Sequence, residues 1–93
     1  MPYPESSLFS CGYVDYFDKN KSLAIKKDAI PAGSKVLIAD EWIETGGSVR
    51  CCIELLHQTG CKVAGLATIG IDYREATKDW IHSGFVAFVG MNI

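Results

Sequence analysis

Two acidic residues and a short glycine-containing segment lie close together near the middle of the chain. Asp40 and Glu41 are adjacent, and three residues separate them from the tetrapeptide Thr-Gly-Gly-Ser at positions 45–48. The backbone N–H groups of a glycine loop at the amino end of a helix bind phosphate, because they donate hydrogen bonds in the positive field of the helix dipole. Nearby carboxylates accept hydrogen bonds from sugar hydroxyls. The spacing therefore predicts a site for a phosphorylated sugar.

The apolar residues before the acidic pair predict the strand that positions it. Residues 36–39 read Val-Leu-Ile-Ala, and such a run without alternation is typical of a strand buried on both faces of a parallel sheet. Asp40 and Glu41 follow directly, so we expect both carboxylates at the carboxyl end of this strand. The loop that comes next needs glycine, because only a residue without Cβ lets the backbone approach an anion closely.

A helix is predicted immediately after the glycine loop. Residues 49–58 carry apolar side chains at helical spacing, in a stripe that faces the core. Thr45 or Ser48 is expected to cap this helix at its start, and Gly60 to stop it after Gln58. The stripe consists of Val49, Cys52, Ile53 and Leu56.

The residues that precede this unit predict a loop and a β-hairpin. Residues 1–12 show no clear period and are expected to form a mobile loop or a frayed terminus. Residues 13–17 and 21–27 are short β-like runs. Between them, residues 18–20 read Asp-Lys-Asn, which is a typical turn sequence.

Strand and helix patterns alternate through the rest of the chain. Residues 62–69 and 85–89 predict buried strands, and residues 72–82 between them predict a helix. Asp72 and Glu75 are expected to form the capping box of that helix. The order hairpin, strand, helix, strand, helix, strand, with short connections, predicts an α/β fold with a parallel sheet.

Composition and charge exclude several classes of protein. The chain has 93 residues, enough for one small domain, with 48% apolar and 22% charged residues. Its net charge of −2 and its isoelectric point near 5.5 argue against a nucleic-acid-binding surface, which is normally basic. No apolar run approaches the ~20 residues that span a membrane, and the amino terminus has no secretion-signal pattern. We therefore expect a cytoplasmic protein.

The four cysteines are expected to be reduced and packed as small apolar side chains. Cys11, Cys51, Cys52 and Cys61 have no CxxC spacing and no pattern of a disulfide framework. Cys51 and Cys52 are adjacent on the predicted helix, so they point in different directions. Reduced cysteines are typical of a cytoplasmic protein.

The central stretch, residues 36–48, closely resembles the signature of the type I phosphoribosyltransferases, and it reads VLIADEWIETGGS. That signature is an apolar strand, two acidic residues, three variable residues and Thr-Gly-Gly-Ser/Thr. Residues 23–40 are similar to the segment that precedes the signature in adenine phosphoribosyltransferases. The resemblance implies a Rossmann-like, parallel-sheet phosphoribosyltransferase fold. It also implies that residues 1–93 form a single domain equivalent to only the carboxyl-terminal half of a complete enzyme.

The resemblance also implies roles for the acidic pair and the loop. Family members detach ribose from phosphoribosyl pyrophosphate (PRPP) through an oxocarbenium-like transition state, and a nucleobase nitrogen captures the sugar. Asp40 and Glu41 would be catalytic residues that hold the ribose hydroxyls. They would also bind Mg²⁺ indirectly, through ribose or water, because that ion takes hard oxygen ligands and retains water. The residues that would cradle the 5′-phosphate are Thr45, Gly46, Gly47 and Ser48.

Four further residues are candidates with alternative interpretations. Glu44 would repel a phosphate, and it is either an acid/base acting on the purine or a solvent-facing glutamate. Asp15 and Tyr16 resemble the acidic-aromatic pair of the mobile loop in adenine-type enzymes, where the acid protonates the base. Trp42 either stacks on a base or packs against the protein.

Three functional hypotheses follow from these resemblances. The first is a purine-type, adenine-like phosphoribosyltransferase that uses PRPP and a purine base in nucleotide salvage. The alternatives are a non-catalytic PRPP- or nucleotide-binding regulatory module, and a structural fragment whose sheet edge docks on a partner. With half of the usual sheet missing, one sheet face should be uncovered, so we expect a homodimer and little or no catalysis by the isolated chain.

Overall fold

The computed structural model describes residues 7–15 and 17–89, which form two sheets and two helices. The antiparallel hairpin pairs β1 with β2, and the second sheet is parallel with strand order β3–β4–β5. This is the α/β architecture with an amino-terminal hairpin that the sequence predicts. The strands are β1 (Leu8–Val14), β2 (Asn20–Lys26), β3 (Lys35–Ile43), β4 (Lys62–Ile71) and β5 (Val86–Phe88), and the helices are α1 (Gly47–Gln58) and α2 (Lys78–His82).

The main core lies between the parallel sheet and α1. Ile38 of β3 pairs with Leu66 of β4, and both side chains are buried on the face that α1 covers. Full burial of one such side chain stabilises a protein by about 1.5–3 kcal/mol. The buried members of this cluster are Ile38, Ile43, Val49, Leu56, Cys61 and Leu66.

The opposite face of the parallel sheet is exposed, as expected for half of the usual sheet, so the expectation that residues 36–39 are buried on both faces is wrong for Leu37 and Ala39. Side chains alternate along a strand, so Leu37 and Ala39 point away from the core. Leu37 is 60% exposed, and Ile69 of β4 is 46% exposed. A parallel sheet normally has both faces covered, so this apolar surface is unusual for a complete domain.

The hairpin begins earlier than the sequence predicts. Residues 8–12 were expected to form a loop, but they belong to β1, which pairs from Leu8↔Lys26 to Val14↔Asn20. Strand β1 ends before residue 15, because the Asp15 carboxylate accepts hydrogen bonds from the Phe17 and Lys19 amides at 2.9 Å and closes the turn. The expected loop at residues 1–6 lies outside the described residues.

Helix α1 buries residues on two sides. Val49 and Leu56, from the predicted stripe, are buried against the parallel sheet, and Cys52 and Ile53 are half-buried there. Cys51 and Leu55 are also buried, although they lie outside the predicted stripe. These two residues are four apart, so they share a side of the helix, and that side faces the hairpin.

The expectation that all four cysteines are reduced is wrong for two of them. Cys11 of β1 and Cys51 of α1 form a disulfide, with their Cα atoms 5.6 Å apart. The two residues are 40 positions apart in the sequence, and only the packing of β1 on α1 brings them together. Cys52 and Cys61 are free thiols, as predicted.

The second helix is shorter than predicted, and its capping box does not form. Helix α2 begins at Lys78 after Thr77 as N-cap residue, so residues 72–77 form a turn instead. The Asp72 side chain is bound elsewhere, because its Oδ1 accepts a hydrogen bond from the Trp42 indole at 3.0 Å. Gly84 ends the helix region with a φ of 78°, as expected. No helix within residues 7–15 and 17–89 is long and apolar enough to cross a bilayer.

Candidate functional site

The two candidate acids lie within β3 and not beyond its end. The strand was expected to stop at residue 39, but it continues to Ile43, because residues 40, 42 and 43 still pair with β4. Neighbouring residues of a strand point to opposite faces. The Asp40 side chain therefore lies on the face that carries α1, where it is half-buried, and Glu41 lies on the exposed face.

The turn between β3 and α1 depends on a left-handed glycine. Gly46 has φ 82° and ψ 3°, and it is the N-cap residue of α1. The predicted side-chain cap from Thr45 or Ser48 is not made. The Thr45 hydroxyl instead accepts a hydrogen bond from the Gly47 amide at 3.3 Å, which folds the loop tightly around Gly46.

Helix α2 and the turn that precedes it pack against Gly46. A Cβ built on Gly46 would lie 2.9 Å from Cζ3 of Trp80 and 3.3 Å from Cγ2 of Thr77, so the backbone approaches both side chains too closely for any other residue. Thr77 is completely buried, and its hydroxyl donates to the Asp72 carbonyl at 2.7 Å and accepts from the Arg74 amide at 3.0 Å. Its position is therefore fixed by the turn itself.

A cleft of about 220 Å³ lies beside the loop, which we call the loop cleft. This volume is below the ~300–1,000 Å³ of sites for drug-sized ligands, so it suits a phosphate with part of a sugar. Of the predicted phosphate-binding residues, Gly47 does not line it, because Gly47 packs against Tyr13 and Val14 of the hairpin. The lining residues are Tyr13, Asp15, Phe17, Trp42, Ile43, Glu44, Thr45, Gly46 and Ser48.

The loop cleft continues towards the acidic pair. Ser48 lines both the loop cleft and a second cleft of about 180 Å³ that also contains Asp40. Asp40 in turn lines a third, shallow cleft together with Glu41 over the ends of the strands. The structure therefore places the loop, Asp40 and Glu41 along a row of adjoining clefts, a surface depression in which Asp40 lies between the loop and Glu41.

Two carboxylates face the loop cleft, which matters for binding an anion. The negative charge of Asp15 is partly neutralised, because its carboxylate accepts hydrogen bonds from two backbone N–H groups and lies 3.9 Å from the Lys21 ammonium. Glu44 is exposed to water, where its charge is screened. The repulsion predicted for Glu44 is therefore weakened by solvent, and that of Asp15 by the hairpin turn. Tyr16, the other member of the predicted acidic-aromatic pair, lies outside the described residues.

Trp42 is held at the edge of the cleft by residues of β4 and the turn after it. Its indole N–H donates to Asp72, and its ring lies so close to Gly70 that a Cβ there would overlap it. The side chain remains 52% exposed and lines the loop cleft. Both interpretations from the sequence are thus compatible with its position, since the ring packs against Gly70 and the side chain is still half exposed.

The contact with Trp42 also sets the charge state of Asp72. The indole hydrogen bond holds the pKa of this carboxyl below its ordinary value, and the Arg74 guanidinium, 3.3 Å away, adds to the effect. Sequence reasoning missed this pair, together with Tyr13 and Phe17 of the hairpin. No local pattern connects Trp42 with a residue 30 positions later.

The side chains described do not form a complete metal cage. No group of three or more His, Cys, Asp or Glu residues within residues 7–15 and 17–89 is arranged to hold an ion. Asp40 and Glu41, the residues expected to bind Mg²⁺ indirectly, lie in the same shallow cleft.

Comparison with known proteins identifies the family of this site. Residues 13–89 match the family model described as the phosphoribosyl transferase domain. Adenine phosphoribosyltransferase from Rubrobacter xylanophilus is 48% identical over 58 residues, which are 61% of this chain and 31% of that protein.

Solved structures give the same result for the fold. Adenine phosphoribosyltransferase from Saccharomyces cerevisiae, determined in complex with an imino-altritol bisphosphate and adenine, matches with a TM-score of 0.70 and 25% identity. The match covers 95% of this chain and 47% of that one. The enzyme from Rhodothermus marinus matches with a TM-score of 0.63 and 30% identity, over 76% of this chain and 38% of that one. The chain therefore spans about half the length, or less, of these relatives.

The lowered pKa of Asp72 leads to a prediction on pH. An aspartate with a lowered pKa favours the folded arrangement while it is ionised, so this contribution is complete above about pH 3.9, the ordinary value. It is lost as the pH falls through the lower, folded-state pKa. The Trp42 indole N–H signal in a ¹H–¹⁵N NMR titration should therefore shift with a midpoint below about 3.9.

The control is Asp72→Asn, which keeps an oxygen acceptor but does not titrate. The Trp42 signal of this variant should lack the acid transition, and Trp80→Phe assigns the two indole signals. A midpoint at the ordinary aspartate value, or the same transition in Asp72→Asn, would contradict the assignment.

Proposed function

We propose that this chain, which belongs to the phosphoribosyl transferase family, carries the ribose 5-phosphate half-site of a purine phosphoribosyltransferase. The reaction would transfer phosphoribosyl from PRPP to a purine, with adenine as the favoured base, in nucleotide salvage. The observation that carries this proposal is the left-handed turn at Gly46, which joins β3 to the amino end of α1 beside the acidic pair. The adenine phosphoribosyltransferases among its relatives support the choice of base.

The 5′-phosphate would bind in the loop cleft. The first N–H groups of a helix have no partner within the helix, and α1 presents them beside Gly46 and Ser48. The helix dipole adds favourable electrostatics for an anion. The hydroxyls of Thr45 and Ser48 lie on the same wall, and Ser48 is placed to bridge towards the sugar.

The ribose would lie along the depression between the loop and the acidic pair. Asp40 reaches it from the face that carries α1, and Glu41 reaches it over the strand end. Their carboxylates would accept hydrogen bonds from the hydroxyls and hold the ring while positive charge develops on it. A bound Mg²⁺ would supply positive charge beside the pyrophosphate oxygens. Asp40 and Glu41 would hold this ion indirectly, through water or ribose.

The base would lie next to the aromatic side chains of the loop cleft. Trp42 is 52% exposed and lines this cleft together with Tyr13 and Phe17 of the hairpin. Aromatic faces of this kind bind flat heterocycles by stacking. Glu44, an exposed acid that lines this cleft, would exchange a proton with the base, and Asp15 is the weaker candidate because the turn already engages its carboxylate.

We also propose a cytoplasmic location and a homodimer. The dimer face would be the exposed side of the parallel sheet around Leu37, outside the shallow cleft that contains Asp40 and Glu41, because apolar patches of this kind favour association. A regulatory module that binds PRPP or a nucleotide without catalysis remains the alternative.

The phosphate site is tested by a substitution at the left-handed glycine. Gly46→Ala places a Cβ against Trp80 and strains the turn, so the affinity for ribose 5-phosphate should fall at least about ten-fold, a change of about 1.4 kcal/mol. Isothermal titration calorimetry measures this directly.

Gly33→Ala is the matched control. Gly33 has a similar φ of 87°, but a Cβ there meets no atom within 4 Å, and it lies at the other end of β3. Both variants should lose about 1–3 kcal/mol of folding stability through backbone strain. Equal ligand affinity in Gly46→Ala and the natural chain, or an equal loss in Gly33→Ala, would reject the site.

The ribose site is tested by removing one charge. Asp40→Asn should weaken ribose 5-phosphate binding by roughly ten- to a hundred-fold, the value of one charge-assisted hydrogen bond of ~1.5–3 kcal/mol. Binding of inorganic phosphate should stay almost unchanged. If both ligands lose affinity equally, the substitution has disturbed the fold and the assignment to ribose fails.

A radiolabelled transfer assay with adenine, hypoxanthine and guanine tests catalysis. We expect the isolated chain to bind ribose 5-phosphate but to transfer little or no phosphoribose, because it spans about half of its enzymatic relatives. Turnover on the order of 10 s⁻¹, which is typical of enzymes, would contradict this expectation and establish the 93 residues as a complete catalyst.

A further inference from the structure

The disulfide between Cys11 and Cys51 is not used by the proposed reaction. It connects β1 of the hairpin to the second turn of α1, and the Cα separation of 5.6 Å is within the usual range for a disulfide. The connection is long-range, with 40 positions between the two residues. A bond at this position controls how the hairpin and the helix lie against each other.

The disulfide joins the two elements that carry lining residues of the loop cleft, the hairpin and α1. Cys11 is two residues before Tyr13, which lines the cleft and packs against Gly47. Cys51 is three residues after Ser48, which lines the opposite wall. Because both cysteines are this close to the lining residues, the bond holds the hairpin wall against the loop wall.

Access to the disulfide is one-sided. Cys51 is only 2% exposed, whereas Cys11 is half-buried at the surface, with the Glu54 carboxylate oxygen 3.3 Å from its sulfur. Cys11 is therefore the more accessible of the two residues for an external thiolate. Burial raises the pKa of the free Cys52 thiol, so this neighbour stays protonated and does not compete as a nucleophile.

We propose that Cys11–Cys51 is a thiol–disulfide exchange site at which a dithiol reductant releases the hairpin from α1 and weakens binding in the loop cleft. The effect on ligand binding rests on the proposed phosphate site. In the cytoplasm, which we propose for this chain, protein disulfides are mostly transient and redox-sensing.

The exchange is a two-electron reduction. A thiolate of the dithiol attacks the Cys11 sulfur, the bond between the two cysteines breaks, and Cys51 leaves as a thiolate that takes up a proton. The second thiolate of the reductant then attacks the mixed disulfide. Cys11 leaves and is protonated, with the Glu54 carboxylate placed to accept its S–H, and the reductant departs as a disulfide.

The experiment uses the full chain in its oxidised state and after reduction with dithiothreitol. Thiol alkylation and mass spectrometry show whether Cys11 and Cys51 are bonded to each other. Calorimetry measures the affinity of each redox state for ribose 5-phosphate. The oxidised chain should bind about ten-fold more tightly than the reduced chain, and reoxidation should restore the affinity. Amide hydrogen exchange should become faster in β1 and β2 on reduction and stay unchanged in β3 and β4.

Two variants complete the test. Cys51→Ala should bind as weakly as the reduced chain and should not respond to dithiothreitol. Cys52→Ser, which changes the adjacent free thiol, should keep the full response. If Cys51→Ala does not fold, which loss of protection in β3 and β4 would reveal, the reduced natural chain still decides the question.

The outcomes separate this inference from the proposed function. The inference is overturned if the oxidised chain contains no Cys11–Cys51 bond, or if hairpin exchange and ligand affinity are the same in both redox states. If neither state binds ribose 5-phosphate while hairpin exchange still follows the redox state, the phosphate site fails and the exchange site stands.

Discussion

Helix α1 carries apolar residues on two sides, and the position of the candidate site depends on both sides being covered. Val49 and Leu56 are buried against the parallel sheet, while Cys51 and Leu55 are buried towards the hairpin. Burial of apolar surface is the main favourable term in folding, so leaving either side open would be costly. The hairpin therefore packs on α1, and this packing places Tyr13 in the lining of the loop cleft.

The same helix begins at Gly46, where both the backbone conformation and the surrounding space restrict the residue type. Gly46 is left-handed, and the aromatic ring of Trp80 and the methyl group of Thr77 fill the space where a Cβ would be. Thr77 is held by hydrogen bonds within the turn that precedes α2. The region after β4, although remote in sequence, thus helps to set the shape of the loop between β3 and α1.

The extension of β3 changes how the acidic pair can act. Because Asp40 and Glu41 both belong to the strand, they approach a ligand from opposite faces of the sheet. Both acids border the shallow cleft over the strand ends, and Asp40 also borders the cleft that adjoins the loop, so the geometry is compatible with a sugar lying across the strand end.

Much of the fold follows from local patterns in the sequence. The apolar run in β3 and the sequence Thr-Gly-Gly-Ser indicate the strand, loop and helix in the correct order, since each depends on a few neighbouring residues. The end of α1 at Gln58 and the hairpin topology were also predictable from turn residues and from Gly60. Strand ends were less predictable, because β3 continues through polar residues only where β4 pairs with it.

Contacts between distant parts of the chain were decided by the tertiary structure alone. The bond between Cys11 and Cys51 and the hydrogen bond between Trp42 and Asp72 join residues 40 and 30 positions apart. Local spacing contains no information about such pairs, because they form only when β1 packs on α1 and when β3 pairs with β4. The sequence by itself determined which residues are available for chemistry, and packing decided which of them meet.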